Sequence, residues 1–494
     1  MPTLDEHLTR LDRLIRAGKG GVARREIEGL AERRVPRDKL ADVARLCWRV
    51  HAPQIGIRLL HAVVRPPPKR PTEATEAERA EYAHCLARAG ADHEAWAILE
   101  GLDPERLPRV LFYRMTVLVG RWDYASAVPL LRRYLSLVSP RGYLHLVGRV
   151  NLAAALIYER RYREVRALLS DLLHETTLRR LQLLRGNVLE LSALSLMGQR
   201  RWDRAEELLG EAERALSESE ALDELVVRKW RAILAVRRAP KDPRAAEALA
   251  RVRAEAVERR HWETVRECDR YRAIATGDRA RLTRLYYGTP FAEYRERLIA
   301  DFGKAFEPRE SYVWKLGPGS TSVLDLLSGD ADGGGRGLKP GSAPYRLLHV
   351  MVSDFYRPFR LVELYARTFP GEYYNPETSP WRVHQAVKEL RARLSRLRLP
   401  LEVVVTGGDL RLESRKGCGI RVPRPCADEA PSRERFMLAR LRGEVPGQDF
   451  SLTDASQVLG ISSRSTLRVL SQGMRQGTVV RIGSRAFTRY RFAG

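Results

Sequence analysis

Arg382, His384, Gln385, Lys388 and Arg391 crowd into residues 382–391, where Glu389 is the only acid. Arginine and lysine can each donate to guanine O6 and N7, and glutamine carries the donor and acceptor that match adenine. Side chains of these types on one helix face suit the edges of base pairs in a duplex major groove. Arg415 and Lys416 follow in a turn where cations would meet phosphate. Arg464 and Arg468, with Arg485 beyond them, repeat the pattern nearer the end of the chain. Bond-breaking chemistry finds no such support. The sequence holds no GxxxxGK[ST], HExxH or GxSxG, and its histidines do not pair with cysteine or histidine at metal-ligand spacing. The run GDADGGG starts like a calcium loop at Asp330 and Asp332 but has no glutamate at the twelfth position. The expectation is therefore no enzyme, no cofactor and no metal.

The elements around these residues follow from apolar spacing. Residues 379–399, SPWRVHQAVKELRARLSRLRL, place Val383, Val387, Leu390, Leu394 and Leu397 on one helical stripe, with Ser379 as N-cap and Pro380 in the first turn. Two short apolar helices, 345–352 and 361–369, precede it. Strand-like runs at 401–405, 409–414 and 418–422 follow, the last two joined by the Arg415–Lys416 turn, read here as a basic hairpin tip. Three helices and a hairpin with a basic last helix describe a winged helix, with double-stranded DNA as partner. After residue 431 the order recurs: RERFMLARL, SLTDASQVLG, ISSRSTLRVLSQGMRQG and TVVRIGSRAFTRYRF. Here Leu452, Leu459, Ile461, Leu467, Leu470 and Met474 supply the stripe, and Ser462 or Ser463 the cap.

Composition agrees. Lys plus Arg number 87 against 62 acids, a formal charge of +25, which favours a polyanionic partner and salt-sensitive association. Cys47, Cys85, Cys268, Cys418 and Cys426 are scattered without a CxxC, as in a reduced cytoplasmic protein. No apolar run approaches ~18 residues and the start is charged, so neither a membrane span nor a signal peptide is expected.

Residues 4–287 read as helix almost throughout, and they repeat. Arg121-Trp122-Asp123, Arg161-Tyr162-Arg163 and Arg201-Trp202-Asp203 recur every 40 residues between apolar helices, with Ala154, Ala167 and Ala205 at the expected close-packing points. A weaker copy surrounds Trp262, and degenerate ones lie at 18–30, 52–64 and 90–102. The prolines of 65–71 interrupt the array, and 289–306 reads as a last capping helix with Thr289 as N-cap. The pattern resembles the tetratricopeptide repeat family, with a longer period. That resemblance implies a surface for a protein or peptide ligand.

The order of motifs from Val323 onward resembles the winged-helix domain of OmpR-type response regulators. A leading strand precedes a Gly-Arg turn at GRGLKPGSAP. Arg382, Val383, His384, Leu390, Arg391 and Leu394 fill the positions of the recognition helix, and Gly417-Cys418-Gly419 the hairpin, with Ile420 where the family has Tyr. No receiver domain precedes it. The resemblance places the Tyr373–Tyr374 loop where that family contacts RNA polymerase. The second module resembles the small winged helix of bacterial repressors.

The sequence thus predicts a mainly α chain: an α-solenoid of helix pairs over 1–307, then two small α+β winged helices over 308–425 and 431–494. The function expected is a DNA-binding transcription regulator controlled by its repeats. The alternative is an interaction scaffold whose winged helices dock proteins, as in PCI-domain assemblies.

Overall fold

The computed structural model describes the chain apart from residues 1–2, 32–34, 68–72, 218–220, 304–305, 320–321, 332–336, 426–436, 439–440, 443, 446–448, 476, 484–487 and 493–494. Much of the 65–71 interruption, Asp332, Cys426, Arg485 and the start of the second module lie outside the described residues. The fold is mainly α, an array of helix pairs followed by small α+β modules. It divides into two compact units. The first takes Met1–Pro308 with Phe355–Arg357 and Tyr373–Glu377, and the second takes Arg309–Asp354, Pro358–Glu372 and Thr378–Gly494.

In the first unit α1 (Leu4–Arg16) pairs with α2 (Gly20–Ala31), α3 (Leu40–Arg49) with α4 (Pro53–Val64), α5 (Glu76–Ala89) with α6 (Asp92–Glu100), and α7 (Arg109–Gly120) with α8 (Tyr124–Leu137). The array continues with α9 (Tyr143–Tyr158) and α10 (Tyr162–Leu178), α11 (Gln182–Gly198) and α12 (Trp202–Leu216), α13 (Ala221–Arg238) and α14 (Pro243–Glu258), then α15 (Trp262–Thr276) and α16 (Arg279–Tyr287). The degenerate copies read at 18–30, 52–64 and 90–102 fall on α2, α4 and α6.

One turn chemistry joins many of these helices. Arg160, Arg180, Arg200 and Arg260 adopt φ of 57°, 53°, 61° and 57°. The residue after each donates its N–H five positions back: Arg161 to Leu156, Leu181 to Thr176, Arg201 to Leu196 and His261 to Ala256, at 2.8–3.0 Å. These are the left-handed C-terminal caps that satisfy orphan helix carbonyls. The period of 40 is therefore two helix-turn units of 20, since 180 − 160 and 200 − 180 are both 20.

The aromatic register differs from the sequence reading at one place. Tyr162, Trp202 and Trp262 each open a helix, but Trp122 has φ 67° and sits in the turn itself, so Tyr124, which opens α8, is their counterpart. Close packing also falls elsewhere than expected. Ala205 is buried, but Ala154 is only partly so and Ala167 is exposed. Glycines do that work: a Cβ at Gly148, Gly186 or Gly198 would overlap Tyr134, Leu216 or Tyr162.

The final helix of the unit, α17 (Ala292–Phe302), starts later than its sequence suggested. Phe291 is its N-cap position and Thr289 instead offers its carbonyl to Arg295 Nη1 at 2.9 Å.

The second unit opens with β1 (Ser311–Leu316) and β2 (Val323–Asp325). Then come α18 (Ala343–Met351), β3 (Phe359–Arg360), α19 (Leu361–Thr368), α20 (Ser379–Arg396), β4 (Glu402–Thr406), β5 (Asp409–Glu413) and β6 (Cys418–Pro423). The strands form two sheets, in orders β1-β6-β2 and β3-β5-β4. The hairpin is β4–β5, which turns between Thr406 and Asp409. The expected basic tip is corrected accordingly: Arg415 and Lys416 lie in the passage from one sheet to the other, because β6 pairs with β1 and β2 rather than with β5. Gly417 in that passage has φ 80°, and a Cβ there would overlap the backbone of Pro318 and Gly319.

Towards the end, α21 (Leu452–Leu459) carries a capping box from Ser451, and α22 (Ser463–Arg475) precedes the β7 (Val479–Ile482) and β8 (Arg489–Phe492) hairpin. Their core gathers Met437, Leu438, Leu441, Phe450, Leu459, Val469, Leu470 and Tyr490. Ser462, not Ser463, caps α22, accepting from the Ser465 N–H at 3.3 Å. Leu467, expected in the buried stripe, is 44% exposed.

Candidate functional site

The first unit builds its inner contacts from aromatic and charged side chains together. Near its start the Glu81 carboxylate, fully buried, accepts from the Trp48 indole (3.0 Å), Arg109 (2.9 Å) and the Tyr113 hydroxyl (2.7 Å), tying α3, α5 and α7. The motif returns further on. Trp230 donates to Glu190 at 2.8 Å, and Lys229 to Glu267 at 2.5 Å, tying α11, α13 and α15. Burial pulls the Lys229 ammonium down, but Glu267 and Glu190 outweigh it and leave its pKa above the ordinary lysine value.

The residues that seat α17 are of the same kind. Trp122 meets Tyr294 edge to face at 4.7 Å, and Tyr124 stacks on Tyr158 at 4.3 Å. Arg297 reaches the Tyr158 carbonyl and pairs with Glu159 at 2.9 Å. Asp301 is shared by Arg160 and Arg270. Burial pushes the phenols of Tyr124, Tyr158 and Tyr294 up, so they stay neutral. None of this was read from the sequence. Only the aromatic turn signal touched it, through Trp122.

In the second unit α20 buries Val383, Val387, Leu390 and Leu394 as expected, while Leu397 is only partly covered. Ser379 is the buried first residue of the helix and not its cap; Thr378 holds that position. His384, Lys388 and Arg391 are exposed, and Gln385 is half-buried. Arg391 also donates to the Val403 carbonyl at 2.6 Å. Arg382 is engaged: its guanidinium pairs with Glu372, donates to the Tyr365 hydroxyl at 3.2 Å and lies 4.3 Å from the Phe369 ring centroid. The Arg382 hydrogen bond to Glu372 holds that carboxyl below its usual range. Trp381, 64% exposed beside it, escaped the sequence reading. Arg415 and Lys416 are exposed in the inter-sheet passage, Arg464 and Arg468 are exposed on α22, and Arg485 lies outside the described residues.

The Tyr373–Tyr374 segment belongs to the first unit. Tyr374 is buried, its N–H donates to Glu94 at 2.9 Å, and Tyr373 lies under Arg65 at 3.8 Å. Among the described residues no helix is long and apolar enough to cross a membrane.

These features define a helical-repeat protein. No protein-family model matches the sequence, and no curated protein matches it. Among solved structures, a Rap protein complexed with Competence and Sporulation Factor aligns over 60% of this chain and 87% of its own, at 14% identity and a TM-score of 0.43. Aspartyl phosphate phosphatase F from Bacillus subtilis aligns over 61% and 87%, at 12% identity and a TM-score of 0.37. At such scores the likeness transfers neither activity nor partner. The expectation of a non-enzyme is nevertheless corrected: it rested on missing motifs alone, and a missing motif in one sequence does not exclude an activity.

Proposed function

We propose that this chain is a protein-interaction scaffold whose helical repeats take up a segment of another protein. The observation that supports the reading is the seat of α17, where aromatic rings and paired charges from α8, α9 and α15 hold a helix by one face. Anchors at i, i+3, i+4 and i+7 are how a groove reads a helix. The test places a photo-cross-linking residue at Tyr271, partly exposed on α15, in the full chain inside its own cells. A reproducible adduct is expected there and not from the same residue at Arg251, exposed on α14. Identical adduct patterns at the two positions would overturn the reading.

A second reading, a DNA-binding transcription regulator with α20 in the groove, is favoured by the exposed row of His384, Lys388 and Arg391 on that helix. Phosphate neutralisation gives a log–log salt slope of about −0.9 per contact. Lys388→Ala is expected to weaken duplex binding and make that slope shallower by about one unit. A slope unchanged by the substitution, or no duplex binding at all, would leave the second unit as a docking module. The three-part division at 308 and 431, and a role for the Tyr373–Tyr374 loop against RNA polymerase, belong to this reading.

A further inference from the structure

Besides packing on α15 and α16, the pair beside it, α17 makes contacts that a helix covering the end of a repeat array does not need. A capping helix shields the apolar face of the pair beside it. Here Tyr294, Arg297 and Asp301, on one face of α17, also reach residues far earlier in the chain: Trp122 for Tyr294 and, across 138 and 141 residues, Glu159 for Arg297 and Arg160 for Asp301. Tyr294 and Leu298 are fully buried. The remaining grips are ionic and incompletely buried, the Arg297 side chain being 17% exposed and its partner Glu159 26%. Water and a competing chain can reach such pairs, so they can exchange.

We propose that α17 is a tethered occupant of the repeat unit's own binding site. A partner helix presenting an aromatic, an arginine, an aliphatic and an acid at i, i+3, i+4 and i+7 displaces it. The pattern follows from the seat. Trp122 receives a ring edge to face, Arg266 and Arg270 lie over that ring at 6.0 and 5.3 Å, Glu159 and the Tyr158 carbonyl receive a guanidinium, and Arg160 with Arg270 receive a carboxylate. A segment of the same chain competes at an effective concentration on the order of millimolar, which suppresses binding of any free helix that the bare site would accept. This inference rests on the scaffold reading and adds to it the chemistry of the partner and the means of restraint.

The probe is a fluorescein-labelled peptide of residues 290–303, titrated into the full chain. Against the double variant Arg297→Ala, Asp301→Ala it is expected to bind roughly tenfold or more tighter than against the unaltered protein, because the tethered competitor has been weakened. A peptide with alanine in place of Tyr294 is expected to bind neither. Equal affinities, or no binding to either protein, would overturn the proposal. A second measurement needs no variant: saturating unlabelled peptide should strip hydrogen-exchange protection from the α17 amides of the unaltered protein. Unchanged protection there overturns the proposal whether or not the double variant folds. Failure of both peptide measurements with the Tyr271 adduct intact removes the competitor role and spares the scaffold. Loss of that adduct removes the scaffold reading and, with it, the partner that this inference describes.

Discussion

Lys229→Ala is expected to destabilise the repeat unit by about 3–5 kcal/mol, the range for removing one partner of a buried ion pair. Both side chains of the Lys229–Glu267 pair are only 6% exposed, so solvent screening offers little relief. The substitution leaves the Glu267 carboxylate buried without the ammonium that donates to it at 2.5 Å. It also removes the cation lying 4.1 Å from the Trp230 ring centroid. Because the folded pKa of Lys229 is raised, its contribution is fully present at neutral pH and is lost only as pH rises through that alkaline value. The double variant Lys229→Met, Glu267→Leu is expected to recover most of the loss, since an apolar pair of similar volume leaves no buried charge. Urea unfolding of the full chain followed by circular dichroism measures both. A loss below about 1 kcal/mol for Lys229→Ala would mean that water reaches Glu267 when the lysine is gone.

His349 on α18 is expected to make the second unit acid-sensitive. Its ring is half-buried beside Tyr345, Nε2 donates to the Leu326 carbonyl at 3.2 Å, and the loss of water around it pushes its pKa down to about 3. The unfolded histidine takes up its proton near pH 6.5, so between about 6.5 and 3 the unfolded state holds one proton more. Stability is therefore lost as pH falls through that window, at up to about 1.4 kcal/mol per pH unit. His349→Gln keeps a donor for Leu326 and removes the titration. The difference in unfolding free energy between the two proteins, followed from pH 7 to pH 4, should shrink with that slope. A difference independent of pH would show that another group carries the proton.

What the sequence made legible was local. Tyr162 and Trp202 marked helix starts because an aromatic there recurs with the repeat, and Val383, Val387, Leu390 and Leu394 marked the buried face of α20 because burial follows the helical period. Errors arose where position depended on partners distant in the chain or on strand pairing. Trp122 sits in a turn two residues before the helix start its copies occupy, a slip that spacing alone cannot resolve. Arg415 and Lys416 have the sequence of a hairpin tip, but β6 pairs with β1 and β2 and leaves them between the sheets. Arg382 reads as available from its place on the helix, but Glu372, ten residues earlier in a loop, holds it. Leu467 kept the apolar period of α22 and still faces outward, since the small core beside it is filled by Val469 and Leu470. The seat of α17 had no local signature, being made of residues that meet only after the repeats have stacked.

That separation in sequence fixes an order of events during synthesis. Neighbouring helix pairs make short-range contacts and can form as they emerge, whereas closing the loop between Glu159 and Arg297 spends chain entropy that only completed repeats repay. Domains form from the N-terminus at about 5–20 residues per second as the chain is made. The part of the seat made by α8 and α9 therefore exists for seconds before α15 completes it and residues 292–302 follow to cover it. The interval in which the whole seat stands open is only the time taken to make the short stretch between α15 and α17.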